Sequence, residues 1–238
     1  MVAPSFSEVP FSPADFRLAE ALTVAARQLH EQTGPQATLR NAVRLAVHLV
    51  PGADHAGIVT VDRDLVLTSV TWSDDVARSA QELTGMPGHR AFREQLWAAP
   101  VATLADTTGT NGPGQSLSVL GVRAVLALRL RTDRNRLTAL VLFGGKPDGH
   151  DETSLRIGRM LAAHISVAHD SATVQEQLTE AMRTRDLIGQ ATGLLMAREG
   201  VDAAEAFDHL VRASQQQNIK LRELAQRYVD AAARPRDA

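Results

Sequence analysis

The chain has 238 residues, 44% of them hydrophobic and 22% charged, with a formal net charge of −2 and no cysteine. That length suits one large domain or two small ones, and the apolar fraction is enough for a packed core. The near-neutral balance excludes coating of nucleic acid by charge alone. The absence of cysteine excludes disulfides, thiol catalysis, thiolate metal sites and thioether-linked chromophores.

The first residues, MVAPSFSEVPFSP, lack a basic segment followed by an apolar run, and no stretch approaches the roughly 20 apolar residues of a membrane span. The expectation is a cytoplasmic protein with no membrane partner. Residues 1–11, with Pro4 and Pro10, are expected to form a flexible arm. Ser12 and Pro13 then cap a helix with Phe16, Ala19, Thr23, Ala26 and Leu29 on its inner face. Gly34 and Pro35 end it, and a second helix over about 36–49 turns Leu39, Val43 and Ala46, then Val50, inward.

The period then changes to that of strands. HAGIVTV (55–61) and DLVLTSVTW (64–72) predict a hairpin. Residues 74–98 are helical with a break at Met86-Pro87-Gly88, and PVATLAD (100–106) suits an edge strand. TTGTNGPGQ (107–115) is loop by composition. GVRAVLALRLR (121–131) and RLTALVLFGG (136–145) form the strongest strand pair. Val122, Ala124, Leu126, Leu128 and Leu130 alternate with Arg123, Arg129 and Arg131, which predicts one buried face.

From Asp151 onward the pattern is helical. A 4-3 spacing runs from Met160 through Val167, Val174, Leu178 and Ile188 to Leu195, and it predicts a parallel coiled coil between two copies. Gly200 ends the helix, and Asp202 caps a helix over 203–217 with Ala206, Leu210 and Ala213 inward. Asn218 closes that helix, and another follows over about 220–233. Within the long helix, Gly189 and Gly193 lie one turn apart, each carrying the helix penalty of about 1 kcal/mol relative to alanine. They mark close packing or a face kept open for a partner. Charge is segregated: Glu199, Asp202, Glu205 and Asp208 line one edge, and Arg183, Arg185, Arg198, Arg212, Lys220, Arg222 and Arg227 lie elsewhere.

The stretch RDLIGQATGLLMAREGVDAAEAFDHLVRASQQQNIKLRELAQRYVDAA resembles an ANTAR domain, the RNA-binding module of bacterial transcription antiterminators. The resemblance is carried by Ile188, Gln190-Ala191-x-Gly193, Leu195-Met196, Ala206 to Leu210, Ser214, Asn218, Lys220-Leu221 and Leu224-Ala225. Residues 36–168 are similar to a GAF sensor domain in element order and in the two strongest strands. The chain as a whole resembles the GAF–ANTAR regulators common in actinobacteria. The expected fold class is α+β: a GAF-like antiparallel sheet flanked by helices (12–168), a coiled-coil helix (169–184) and a three-helix ANTAR module (185–238).

The resemblance implies a homodimer that holds tandem RNA stem-loops and keeps a terminator from forming, with the sensor controlling how the modules are presented. It implies RNA contacts from Arg185, Gln190, Thr192, Gly193, Arg198, Arg212, Ser214, Asn218 and Lys220, because loop RNA is read through base edges and phosphates add salt-dependent affinity. Many members carry lysine or another long residue where this chain has Thr192. Phe207 and Tyr228 are assigned to the core. The histidines lack metal spacing, Asp74-Asp75 and Asp106 suit loops or caps, and no phosphate cradle or nucleophile–base pair is present, so no enzyme activity is expected. The sensor either takes a small-molecule ligand, of a kind the sequence leaves unknown, or serves as a dimer scaffold. A DNA-binding transcription factor and a ligand-binding signalling adaptor without nucleic acid are the alternative readings.

Overall fold

The computed structural model describes residues 13–108 and 114–233. The arm expected over 1–11 and the cap expected at Ser12 lie outside the described residues. The chain divides into two units, residues 1–173 and 174–238.

In the first unit, α1 (Pro13–His30) and α2 (Pro35–Leu49) precede a hairpin of β1 (His55–Asp62) and β2 (Leu67–Trp72). α3 (Asp75–Gly85), a 3-10 turn (Pro87–His89) and α4 (Arg90–Ala98) lead to β3 (Val101–Leu104). α5 (Gly114–Val119), β4 (Ala124–Thr132) and β5 (Arg136–Gly144) follow, and α6 (Glu152–Glu199) begins. The strands form one antiparallel sheet in the order β2-β1-β5-β4-β3, which places β3 at an edge, as Pro100 before it suggests.

Both faces of the sheet are covered. Ile58, Leu126, Leu128, Leu140 and Leu142 pack against α1, α2 and the start of α6. Val59, Val125, Ala127, Val141 and Phe143 pack against α3, α4 and α5. This corrects the single buried face expected for β4: Ala124 to Leu128 are all buried. The alternation of leucine with arginine marks only the end of the strand. There Arg129 folds back to donate to the carbonyls of Leu96 and Ala99.

Other details differ from expectation for equally local reasons. The inner face of α1 is Leu22, Ala25 and Leu29, and Phe16 is 66% exposed. The face is rotated by about one position because it follows the larger aliphatic side chains. β2 starts at Leu67, not residue 64, because the Asp62 carboxylate accepts from the Val66 N–H at 2.8 Å and ties off a wider turn. α5 occupies the end of the stretch read as loop. Asp74 caps α3, its carboxylate accepting from the Ala77 N–H at 2.9 Å. Burial opposes ionisation of Asp74, but its bonds to Ala77, His55 and Ser73 outweigh that and hold its carboxyl below the usual carboxylate range. Gly158 lets α6 lie close to the sheet, since a Cβ there would stand 2.7 Å from Leu128 Cδ1.

The second unit consists of the remainder of α6, α7 (Ala203–Gln217) and α8 (Leu221–Ala233). Gly200, at φ +69°, ends α6, and Asp202 caps α7 by accepting from the Glu205 N–H at 2.9 Å. Asn218 takes the left-handed conformation, φ 52°, that closes α7. The core is small: Ala191, Leu195, Ala206, Leu210, Leu224 and Ala225 are buried, with Tyr228 and Val229 packed against them. Among the described residues no helix is long and apolar enough to cross a membrane.

Candidate nucleic-acid interface

Because Ala191 and Leu195 turn into the core, the opposite side of α6 is presented outward. Gly189 and Gly193 lie on that side. A Cβ built on either meets nothing within 4 Å, so within the chain these glycines are not making room for a neighbouring helix. The residues around them include Met182, 67% exposed, and Met196, 37% exposed.

This corrects the expected 4-3 seam at its end. Ile188 and Leu195 pack in the core of their own unit, and Thr192 is half-buried with its hydroxyl donating to the Ile188 carbonyl at 2.8 Å. The outward apolar stripe instead holds Val174, Leu178 and Met182, then Gly189, Gly193 and Met196. Leu178 to Gly189 and Met182 to Gly193 are each 11 residues apart, close to the natural helical period, so this face stays on one side of the helix without the underwinding a heptad needs.

The sequence-predicted contact residues fall into separate groups. Arg185 lines one open groove with Thr184, Ile188 and Phe207. Gln190 lines another between α6 and α8, with Arg183, Arg222 and Gln226. Arg222, in the first turn of α8, pairs with Glu180 on α6 at 3.2 Å, and Asn218 and Lys220 are exposed in the turn ahead of α8. Arg198 is exposed at the far end of α6, 18 residues beyond Glu180 and so about 27 Å along the axis. Arg212 is exposed on α7, its Nε 3.3 Å from the Asp208 carbonyl. The expected acidic edge is partly tied up by Glu199, which pairs with His209 at 2.8 Å.

Two assignments change. Ser214 is 9% exposed and its hydroxyl donates to the Ile219 carbonyl at 2.6 Å. It closes the α7–α8 turn and has no free hydrogen for a base edge. Phe207, assigned to the core, is 42% exposed. The signal for this lies in the sequence. With Ala206 and Leu210 inward, position 207 is about 100° round the helix and falls on the flank. Arg183, Arg222 and Gln226 were also not singled out as contact residues; only the α6–α8 packing shows that they share a groove with Gln190.

The family model that matches the chain is that of the ANTAR domain, over residues 176–229. Residues 176–229 are an ANTAR domain. All of α7 and most of α8 lie within the match, which begins in α6 two residues past the division between the units. Several solved structures resemble the chain. A bacteriophytochrome from the photosynthetic bacterium R. palustris aligns with a TM-score of 0.59 at 12% identity, covering 86% of this chain and 47% of that one. The phytochrome photosensory core module of Stigmatella aurantiaca aligns at 0.55 and 15% identity, covering 83% and 45%. The free methionine-R-sulfoxide reductase of Neisseria meningitidis, solved with its substrate, aligns at 0.50 and 15% identity, covering 69% and 95%. The chain spans just under half the length of either phytochrome. At these identities the likeness is one of fold, and the first unit has a GAF-like fold ahead of the ANTAR domain. Among curated proteins none matches the chain.

Proposed function

We propose that the protein is an RNA-binding transcription antitermination regulator that works as a homodimer. The GAF-like domain, assigned to residues 12–168, adjusts how two ANTAR modules meet paired RNA hairpins, either through a small-molecule ligand or as a dimer scaffold. The observation that carries this reading is the ANTAR match over 176–229, combined with an outward α6 face on which two glycines stand open.

The outward glycines leave space for a ribose-phosphate chain or a base to approach the helix backbone. Gln190 offers an amide to base edges. Arg185, Arg198, Arg212 and Lys220, all exposed, meet phosphates. Four such contacts on each of two modules give a log–log salt slope of roughly −6, from about 0.7 per phosphate for single-stranded segments. The apolar stripe at Val174, Leu178 and Met182 is the face on which two copies of α6 pair, giving one module per hairpin.

The test is a binding titration of the full chain against tandem-hairpin RNA, single-hairpin RNA and duplex DNA of equal length. The proposal expects tandem-hairpin RNA to bind most tightly, with the slope stated above. Equal and weak binding to all three would favour an adaptor, and preference for the duplex would favour a DNA-binding factor.

A further inference from the structure

Methionine is among the residue types most often fully buried. The four methionines among the described residues, Met86, Met160, Met182 and Met196, are all exposed. Met182 is the most open of them at 67%. It stands about one helical turn beyond Leu178 and two beyond Val174, on the stripe by which two copies of α6 pair in the reading above. The turn that follows offers no apolar cover, because the exposed Arg185 and Asp186 occupy the positions three and four residues on. A leucine at 182 would suit the helix and the packing as well. What methionine adds is a sulfur, and the sequence holds no cysteine to compete for an oxidant.

Oxidation changes this position in a defined way. The thioether sulfur attacks one oxygen of hydrogen peroxide; an S–O bond forms and the O–O bond breaks. The sulfur gives up two electrons, the attacked oxygen passes its hydrogen to the departing hydroxide, and water leaves. The product, methionine sulfoxide, is polar, and a methionine sulfoxide reductase returns it to the thioether. In a two-fold pair each face meets itself. Oxidation of both copies therefore sets two sulfoxide oxygens in one apolar seam, each an acceptor without a donor, and burial penalises both.

We propose that Met182 is a reversible oxidation site, at which hydrogen peroxide acts on the unpaired chain and keeps it unpaired. This rests on the pairing of α6 in the reading above and adds control of that pairing by oxidant. Pairing in turn covers the sulfur, so each state opposes the other.

The experiment uses the full chain as wild type, Met182→Leu and Met182→Gln. Brief treatment with hydrogen peroxide is followed by peptide mass spectrometry, which reads the gain of one oxygen at each methionine, and by sedimentation. In dilute wild type Met182 should oxidise fastest. At a concentration where the chain is paired it should slow about tenfold or more, as the unpaired fraction falls, while Met86, 55% exposed in the sheet unit, keeps its rate. The dissociation constant of the pair should rise about tenfold or more on oxidation and return after treatment with a methionine sulfoxide reductase. Met182→Leu should pair equally well before and after peroxide. Met182→Gln, polar and of similar length, should pair weakly without any oxidant. Equal oxidation of Met182 in dilute and concentrated wild type, an unchanged dissociation constant once Met182 is oxidised, or loss of pairing by peroxide in Met182→Leu would each overturn the inference and leave the pairing reading standing. Wild type that stays a single chain at every concentration would overturn both.

Discussion

The double change Gly189→Ala, Gly193→Ala separates folding from function at the ANTAR face. Both glycines lie inside α6, neither has a positive φ, and a Cβ on either meets nothing within 4 Å. Alanine therefore brings no clash and removes the helix penalty of glycine, about 1 kcal/mol at a solvent-facing site. Part of the gain acts through the unfolded chain, whose freedom falls. The two sites are one turn apart, so the sum need not be strictly additive, and about 1–2 kcal/mol is the expected gain. That is a five- to thirtyfold shift between folded and open forms of the module. Hydrogen exchange read by mass spectrometry should show slower exchange across α6, α7 and α8 by that factor, with the sheet unit unaffected. The same variant should bind tandem-hairpin RNA at least tenfold more weakly, because two methyl groups now stand where the RNA comes close. Faster exchange in the absence of RNA would refute the reasoning, since it would mean that the glycines already touch something, such as α6 of a second copy. Slower exchange with unchanged RNA affinity would refute the assignment of this face to RNA.

Leu178→Glu should weaken self-association measured by sedimentation while changing the stability of the single chain by less than about 0.5 kcal/mol, because Leu178 is 60% exposed. Ser214→Ala should lower the stability of the ANTAR module by about 1 kcal/mol through loss of the bond to Ile219, read by hydrogen exchange, without changing RNA affinity at a temperature where the module stays folded. Asp74→Ala should destabilise the sheet unit by about 1 kcal/mol at neutral pH through loss of the α3 cap. The folded-state carboxyl of Asp74 is held below the ordinary carboxylate range, so its contribution is present above the unfolded value of about 3.9 and is lost as pH falls through the folded one. Denaturant midpoints of wild type and variant should therefore converge as pH falls below about 4.

Much of the architecture was legible because it follows from side-chain period and caps. Leu39, Val43 and Ala46 on α2, the break at Pro87, the Asp202 cap and the left-handed Asn218 each depend on a few neighbouring residues. What was hidden depends on partners distant in sequence. Period alone says that Val125 and Leu126 face opposite ways; only the helices on both sides of the sheet make both of them buried. The α1 face slips by one position because small and polar residues there leave the period weak. The 4-3 seam read through Ile188 and Leu195 fails because α7 and α8 claim those side chains. The contact set shows the same limit. Gly193 and Arg185 are exposed, whereas Ser214 bonds a carbonyl five residues away and Phe207 is displaced to the flank by the packing of Ala206 and Leu210.

The central claim is that two chains together hold one folded transcript. Its most direct test is the mass of the complex formed with tandem-hairpin RNA, measured by sedimentation equilibrium across a range of protein concentrations. The account predicts a plateau at two chains for each RNA, reached cooperatively, with single-hairpin RNA bound much more weakly. A plateau at one chain per RNA, or no complex at all, would contradict it.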